Sequence, residues 1–260
     1  MHIVVCGKVI PDSSVTLEVD SASKRLRRKD LPHELDPAAA VAVEEALRIV
    51  EQQGGTVTFV SMGTTDATIG IRRALAMGAT AAVHLLDEGL AGSDTLGTAK
   101  ALAAAIKQLP AYDLVICGTE SSDTYSGIVP VQIAHFLGLP PLTFANKVEI
   151  EGTKISIHRQ SETGYAVVEA QLPALVSVTS GLNEPRFPTL KGIMGARKIE
   201  ILTRTAAELG LGPDDVGASA AREKVLTIGA PPRRAAGRMV EDEGQGGTVI
   251  ADFLASIKVI

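Results

Sequence analysis

Residues 113–139 read DLVICGTESSDTYSGIVPVQIAHFLGL. The apolar run 114–117 predicts a buried strand, and residues 131–139 have the apolar spacing of a helix. The loop between them is rich in glycine and hydroxyl side chains, and backbones hold phosphate where such a loop leads into a helix. The stretch therefore predicts one strand–loop–helix unit of an α/β fold, and it raises the question of whether the loop binds a nucleotide.

The same alternation fills the first 145 residues. Asp36 and Pro37 precede an Ala- and Val-rich run, which predicts a helix with Asp36 as N-cap and Pro37 at the first position, where proline's missing amide proton costs nothing. The other predicted elements are strands at 2–6, 56–61, 81–86 and 113–117 and helices at 64–78 and 93–109, the last with a Ser or Asp cap. Repeated strand–helix units require right-handed crossovers, so we expect an α/β fold with a doubly wound, mostly parallel sheet.

The carboxyl ends of the predicted strands share one character. Ligands of such sheets bind beyond these ends, which here are Gly7-Lys8, Ser61-Met62-Gly63 and Gly118-Thr119-Glu120. All are small, polar or glycine-bearing, so we expect a pocket. The loop 118–130 matches neither the P-loop nor the Rossmann fingerprint. A phosphate site and a hydroxyl-capped turn therefore both remain open, as do an anion-binding role and an ordinary surface position for Lys8.

The pattern changes after Pro140-Pro141. Alternating runs at 147–152, 154–160 and 165–171 predict antiparallel strands from about residue 146, and ALVSV after Pro173 predicts one more strand. Residues 205–247 show little periodicity, and residues 248–260 regain helical spacing. We expect a nucleotide-binding α/β domain over residues 1–185, followed by a long C-terminal tail that wraps around another surface.

Composition bounds the function. The chain has 260 residues, 45% of them hydrophobic, with a net charge of −5, and only 3% are aromatic, with no Trp. Surfaces that stack nucleic-acid bases are therefore not expected, and the basic cluster 24–29 is interpreted as a solvated loop. Cys6 and Cys117 lack metal-ligand spacing and are interpreted as buried thiols. The first twelve residues, MHIVVCGKVIPD, predict a strand and not a signal peptide, and no run reaches the roughly 20 apolar residues that cross a bilayer. We expect a cytoplasmic protein.

No group of side chains predicts catalysis. Glu44 and Glu45 are adjacent, but neighbouring helical positions point apart, which favours a solvated face. His84 and His158 lie within strand-like runs and are interpreted as structural. We find neither a nucleophile–base set nor a metal-ligand cluster, so the sequence predicts a binding protein and not an enzyme.

Five segments carry a resemblance to a known family. They are VVCGKVIPD (4–12), DPAAAVAVEEAL (36–47), RRALAMGA (72–79), LNEPRFPTLKGIMGARK (182–198) and PPRRAAGRMVED (231–242). Together they resemble the electron transfer flavoprotein beta subunit along nearly the whole chain. The resemblance implies an adenine nucleotide alpha hydrolase-like fold and an αβ heterodimer. Such a heterodimer carries electrons from flavin dehydrogenases, notably acyl-CoA dehydrogenases, to a membrane quinone oxidoreductase.

The resemblance also implies the cofactors. FAD is held mainly by the alpha subunit, and the beta subunit buries one structural AMP. The positions that match the family's AMP pocket are Gly7, Lys8, Val9, Asp36, Ser61, Met62, Gly118, Thr119, Asp123, Thr124, Tyr125, Ser126 and Gly127. Tyr125 stands near a position where many members have Gln, and Asp36 stands where members often have Asn.

A partner-binding role is implied for residues 181–200. The family uses this segment as a recognition loop for dehydrogenases, with Leu190 as the apolar anchor; a buried Leu190 that ties the loop down is the alternative. The matching positions are Asn183, Glu184, Pro185, Arg186, Leu190, Ile193 and Met194. Residues 201–260 are implied to form an arm and helix that pack on the alpha subunit.

Three alternatives remain open at this point. A close variant holds a second FAD in the beta-subunit pocket and bifurcates electrons, with NADH involved. A stand-alone adenine-nucleotide sensor similar to universal stress proteins has the same α/β layout but leaves segment 181–200 unexplained. An adenylating enzyme requires a catalytic set that the sequence does not show.

Overall fold

The computed structural model describes residues 1–229, 237 and 239–260. Its strands are β1 (His2–Cys6), β2 (Val9–Pro11), β3 (Val19–Asp20), β4 (Arg25–Leu26), β5 (His33–Leu35), β6 (Thr56–Met62), β7 (Ala81–Leu85), β8 (Leu114–Gly118), β9 (Pro141–Glu151), β10 (Lys154–Ser161), β11 (Gly164–Gln171), β12 (Ala174–Val178) and β13 (Ile201–Arg204). Its helices are α1 (Pro37–Gln53), α2 (Ala67–Met77), α3 (Thr95–Lys107), α4 (Val129–Leu137), α5 (Leu190–Ala196), α6 (Gly217–Ala220) and α7 (Gly246–Ser256). In this part of the chain no helix has the length and apolar character to cross a membrane.

Nine strands form one sheet in the order β11-β10-β9-β12-β8-β1-β6-β7-β13. From β12 to β13 every pair is parallel. Strand β9 runs parallel to β12 over its first residues and antiparallel to β10, which is antiparallel to β11. The predicted fold class, a mostly parallel α/β sheet with an antiparallel extension, is confirmed. Strand β9 begins at Pro141, and its antiparallel pairing with β10 begins at Ala145, close to the predicted position.

Helices cover both faces of the parallel strands. Alternate residues of a strand point to opposite faces, so Ile3 and Val5 of β1 pack with α1 and α2, whereas Val4 and Cys6 pack with α3 and α4. The largest core side chain, Phe59 of β6, lies on the α1–α2 face and is fully buried. The continuous apolar runs of the strands follow from this burial on two faces.

Two helix starts agree with the sequence and one does not. Asp36 caps α1 by accepting a hydrogen bond from the Ala38 amide at 2.8 Å, with Pro37 at the first position, as predicted. Asp94 caps α3, whereas the Ser93 hydroxyl donates instead to the Leu90 carbonyl. Helix α2 begins at Ala67, three residues later than predicted.

Helix α5 and strand β13 are among the elements that were not predicted. Helix α5 lies inside the Pro- and Gly-rich segment 181–198 because Thr189 caps it, accepting from the Gly192 amide at 3.1 Å. Strand β13 has four residues, too few for a period to be visible, and forms only because the parallel edge of β7 offers it hydrogen-bond partners.

The chain divides into the compact units Met1–Val225 and Leu226–Ile260. The first part of the predicted C-terminal arm, residues 201–225, therefore belongs to the same unit as the sheet. The second unit contains α7, which follows the helical spacing predicted for residues 248–260 and leaves Ile250 and Phe253 exposed. Residues 230–236 and 238 of the PPRRAAGRMVED segment lie outside the described residues.

Asp94 provides a test of the packing between α3 and the chain after α6. One carboxylate oxygen caps Gly97 at 2.8 Å, and the other accepts from the amides of Arg222 and Glu223 at 2.7 and 3.3 Å. We expect Asp94→Ala to lower the free energy of unfolding by about 1–2 kcal/mol, measured by urea denaturation, because both sets of amides lose their acceptor. Asp94→Asn retains an acceptor oxygen for the cap and should lose less; equal losses would contradict the capping role.

Candidate functional site

The carboxyl end of β1 meets the start of α1. The Gly7 amide donates to the Val60 carbonyl of β6 at 3.1 Å, and the Asp36 amide donates to the Lys8 carbonyl at 3.1 Å. Strand β2 pairs with β5 and sets Val9 opposite Leu35, next to Asp36. These backbone bonds bring three of the sequence-predicted positions, Lys8, Val9 and Asp36, to one place.

The loop 118–127 is fastened to this place. Asp36 accepts a hydrogen bond from the Ser122 amide at 2.8 Å and from the Ser122 hydroxyl at 3.2 Å, while still capping α1. At the start of the loop, Thr119 donates its amide and its hydroxyl to the Val178 carbonyl of β12, both at 3.0 Å. Gly118 approaches α1 so closely that a Cβ atom there would lie 2.7 Å from the Ala38 Cβ. The loop is therefore held from β12 and from α1 at once.

A buried ion cluster joins the loop to two further segments. Asp123, whose side chain is 1% exposed, accepts from the Lys8 ammonium at 2.6 Å through one oxygen. Its other oxygen accepts from the Arg28 guanidinium, at 2.7 Å from Nη2 and 3.1 Å from Nε. The Lys8 ammonium also donates to the Ser121 and Thr124 hydroxyls at 3.3 Å. Two cations thus share one carboxylate, and the cluster keeps a net positive charge.

The pKa values of these groups reflect burial and pairing. Desolvation would raise the pKa of the Asp123 carboxyl, but the nearby charges of Lys8 and Arg28 outweigh it and hold that pKa below its ordinary value. Desolvation lowers the pKa of Lys8, partly offset by Asp123. Burial raises the pKa of Asp36 despite its bonds to Ser122 and Ala38. The carboxylate at the centre of the cluster therefore stays ionised at neutral pH.

Arg28 is the site residue that sequence reasoning missed. The basic cluster 24–29 was interpreted as a solvated loop, but Arg28 reaches the buried Asp123, and Arg25 donates to the Gly92 carbonyl at 3.2 Å. Arg25 is exposed, as expected of a solvated loop, but the interpretation is wrong for Arg28 because a spacing pattern does not show that β3 and β4 fold back toward the loop. A lone carboxylate in a hydroxyl-rich loop was the available signal, since a buried Asp requires cationic partners.

The remaining predicted pocket residues lie around the cluster with different exposure. Ser61 is fully buried, and its hydroxyl has no hydrogen-bond partner among the described residues, while Met62 is partly buried. Thr124, Tyr125 and Ser126 are exposed at the rim. Tyr125 has φ +49° and Gly127 has φ +64°, so the loop makes its turn through left-handed backbone that glycine adopts without strain.

The donors around this edge suit an anion. Lys8 and Arg28 are cations, the rim carries hydroxyl groups, and α4 begins at Val129, after an N-cap residue, Ile128, that makes no side-chain cap bond. The start of a helix, with its positive dipole end, attracts phosphate. Among the residues that the structure describes, no group of three or more His, Cys, Asp and Glu side chains is placed to hold a metal ion. The cations, the hydroxyl groups and the helix start are groups of the kind that bind an anion such as phosphate.

A second feature lies along α1. Glu44 and Glu45 are 3% and 9% exposed, so the predicted solvated face is wrong for both. Glu44 is paired with Arg186, and Glu45 accepts from the Asn183 side chain at 3.1 Å. The two adjacent carboxylates do not form a catalytic pair. They hold segment 181–200 against the helix.

Segment 181–200 exposes apolar side chains. Leu190 is 75% exposed and Phe187 is 85% exposed, with Ile193 and Met194 also exposed. A buried Leu190 that ties the loop down is therefore excluded. Glu184 is exposed and Pro185 is partly buried, whereas the polar groups of Asn183 and Arg186 bond to α1. The segment presents a compact apolar surface next to its own polar anchors.

Asp123 allows the ion cluster to be tested by pH. We expect Asp123→Asn to lower the free energy of unfolding near neutral pH by about 2 kcal/mol, less than for a fully buried pair because both cations are partly exposed. The folded pKa of Asp123 is depressed, so its contribution is present above the ordinary carboxyl value of 3.8 and is lost as pH falls through the folded value. Denaturant unfolding from pH 7 to pH 3 should show the difference shrinking.

A matched control is available in the same loop. Glu120→Gln removes an exposed carboxylate and should change stability little at any of these pH values. A difference between wild type and Asp123→Asn that stays constant down to pH 3 would contradict an ionised Asp123 in the folded protein.

Comparisons with known proteins identify the family of this chain. The family model for the electron transfer flavoprotein domain matches residues 25–209. The electron transfer flavoprotein subunit beta of Mycobacterium tuberculosis (strain ATCC 25618 / H37Rv) is 44% identical over 264 aligned residues, covering 100% of this chain and 99% of the relative. The subunit of the same name from Thermoanaerobacterium thermosaccharolyticum is 40% identical, covering 92% of each chain.

A further relative has a different name. The caffeyl-CoA reductase-Etf complex subunit CarD of Acetobacterium woodii is 35% identical, covering 99% of this chain and 96% of the relative. The family model covers well over half of the chain, and the relatives align along almost all of it. This chain therefore belongs to the electron transfer flavoprotein family, among its beta subunits.

Proposed function

We propose that this chain is the beta subunit of an αβ electron carrier that accepts electrons from flavin dehydrogenases such as acyl-CoA dehydrogenases. The carrier passes them through a quinone oxidoreductase to the respiratory quinone pool and works in the cytoplasm. The observation that carries the proposal is the exposed apolar surface of segment 181–200, held on helix α1, whose N-cap Asp36 also bonds to the loop 118–127. Family membership favours this carrier over a stand-alone nucleotide sensor.

We propose that this subunit binds AMP. Lys8 and Arg28 would face its phosphate, together with the first amides of α4 and the hydroxyls of Thr124 and Ser126. AMP has no redox chemistry. Its role would be to fill the edge between β1, β8 and α1, while FAD is held mainly by the alpha subunit.

The alternative ligand for the same site is a second FAD. It is favoured by the similarity to a subunit of a caffeyl-CoA reductase-Etf complex and by the two cations, which can serve a pyrophosphate as well as a phosphate. Tyr125 is 68% exposed at the rim and would be among the side chains that contact a ligand as large as FAD. FAD contains a flavin and AMP does not, so the nucleotides released from the heterodimer distinguish the two ligands.

The nucleotide content of the heterodimer tests both readings. We expect the chain, coexpressed with its alpha subunit, to release one AMP and one FAD per heterodimer on denaturation, quantified by liquid chromatography and absorbance. Two FAD and no AMP would establish the alternative ligand. A heterodimer that carries FAD but has an empty beta subunit would contradict both nucleotide proposals.

Leu190 tests the docking surface. We expect Leu190→Ala to raise the KM for a reduced acyl-CoA dehydrogenase about 10-fold or more, since truncating an anchor of an interface costs about 2 kcal/mol. Flavin content and absorption spectrum should not change, because Leu190 is exposed. The control is Val19→Ala, which truncates another exposed apolar side chain. Equal kinetics for wild type and Leu190→Ala would contradict a docking role for the segment.

A further inference from the structure

The apolar surface of segment 181–200 lacks packing of its own. Four large apolar side chains within eight residues, Phe187, Leu190, Ile193 and Met194, are exposed. Such a stretch has little to bury against the rest of the chain, and side chains left without packing sample many arrangements. Its shape therefore depends on polar contacts at its two ends and on the inner side of α5, where Ala196 is buried against the core.

The amino-terminal end is fixed to α1 by buried carboxylates. One oxygen of Glu44 accepts from the Arg186 amide at 3.1 Å and from its Nε at 2.7 Å, and the other accepts from Nη2 at 3.1 Å. The outer side of the Arg186 guanidinium binds Glu51, about two helical turns further along α1. Both the backbone and the side chain of Arg186 are thus hydrogen-bonded to α1. These bonds fix the direction in which segment 181–200 runs away from α1.

Two more contacts complete this end. Asn183 donates to the Val41 carbonyl at 3.2 Å and to Glu45 at 3.1 Å. Arg48 donates to Glu44 at 2.8 Å and so holds that carboxylate in place from the other side. Every one of these partners is a residue of α1.

The carboxyl-terminal end is fixed to α2. Arg72 donates to the carbonyls of Ala196, the last residue of α5, and of Ile199. Gly192 lies so near the Ala76 carbonyl that a Cβ atom there would overlap it. Between the two ends, Leu190, Ile193 and Met194 lie on the seven-residue helix α5, which Thr189 caps. The segment that carries the apolar surface is therefore attached at one end to α1 and at the other end to α2.

We propose that Glu44 is a positioning residue for partner docking: its buried carboxylate fixes Arg186 and thereby presents Leu190 in the orientation that a partner binds. The inference rests on the proposed docking role of segment 181–200. It adds that the surface is pre-organised, so association does not have to order it. Ordering side chains and loops at an interface opposes binding. Removing the Glu44 charge should therefore weaken docking without touching the electron-carrying group.

Glu44→Gln in the αβ holoprotein is the test. The variant keeps the side-chain shape and loses the charge that holds Arg186. We expect the KM for the same reduced dehydrogenase as in the Leu190 assay to rise about 5-fold, with kcat, FAD content and absorption spectrum unchanged. Hydrogen exchange should be faster at the amides of residues 183–198. The control Glu88→Gln removes an exposed carboxylate and should change none of these quantities.

A double variant separates positioning from general stability. If Glu44 acts through Leu190, Glu44→Gln combined with Leu190→Ala should have nearly the KM of Leu190→Ala alone, because the two changes remove the same interaction. Arg186→Lys, which keeps the charge but loses the forked geometry, should raise KM in the same direction and serves if Glu44→Gln folds poorly.

The outcomes keep the two proposals apart. A normal KM for both Glu44→Gln and Arg186→Lys, with Leu190→Ala impaired, overturns the positioning role and leaves the docking surface intact. Additive effects in the double variant also overturn it, since Glu44 would then act elsewhere. A normal KM for Leu190→Ala itself overturns the docking surface, and the positioning role with it.

Discussion

Buried carboxylates at the start and along the body of α1 need partners, because an ionised group removed from water is costly unless it is paired and hydrogen-bonded. Asp36 meets this need with the amide and hydroxyl of Ser122, Glu44 with Arg186 and Arg48, and Glu45 with Asn183. Each partner outside the helix belongs to a segment far along the chain. The requirement to satisfy these charges therefore fastens the loop 118–127 and segment 181–200 to the same helix.

Helix α1 can serve this purpose because the sheet holds it firmly. Its apolar side packs on β1, β6 and β8, where Phe59 and Ile116 are fully buried. Its first residues lie at the edge where we propose that a nucleotide phosphate binds, and its second and third turns bond to Asn183 and Arg186 of segment 181–200. A core that holds both the proposed binding edge and the proposed docking surface suits the electron carrier subunit that we propose.

The sequence predicted the fold well because its signals are local. Strand and helix periods, the Asp36–Pro37 start of α1 and the turn signals between the antiparallel strands all lie within a few residues of the element that they specify. The elements that escaped prediction have no such local signal. Strand β13 exists only as the neighbour of β7, and helix α5 has one turn or two that depend on a threonine cap inside a Pro- and Gly-rich stretch.

The meeting of the candidate site residues was predictable in part for the same reason. Parallel strands end at one edge, so Lys8, Asp36 and the loop after β8 were expected to meet there, and the structure brings them together. Arg28 was missed because it arrives from a hairpin whose path no local pattern reveals. Glu44 and Glu45 were assigned to a solvated face because helical geometry describes only the helix itself, and the chain that covers them lies some 140 residues later.

The sequence by itself determined the α/β architecture, the sheet edge at which Lys8, Asp36 and the loop after β8 meet, and the family resemblance. These follow from repeating patterns and from motifs that are contiguous in the chain. Only the tertiary structure decided which charges are buried and what neutralises them, and with that which residues bind outward and which hold the binding surface in place. Burial depends on contacts between segments far apart in sequence, and the cost of burying a charge then selects its partners.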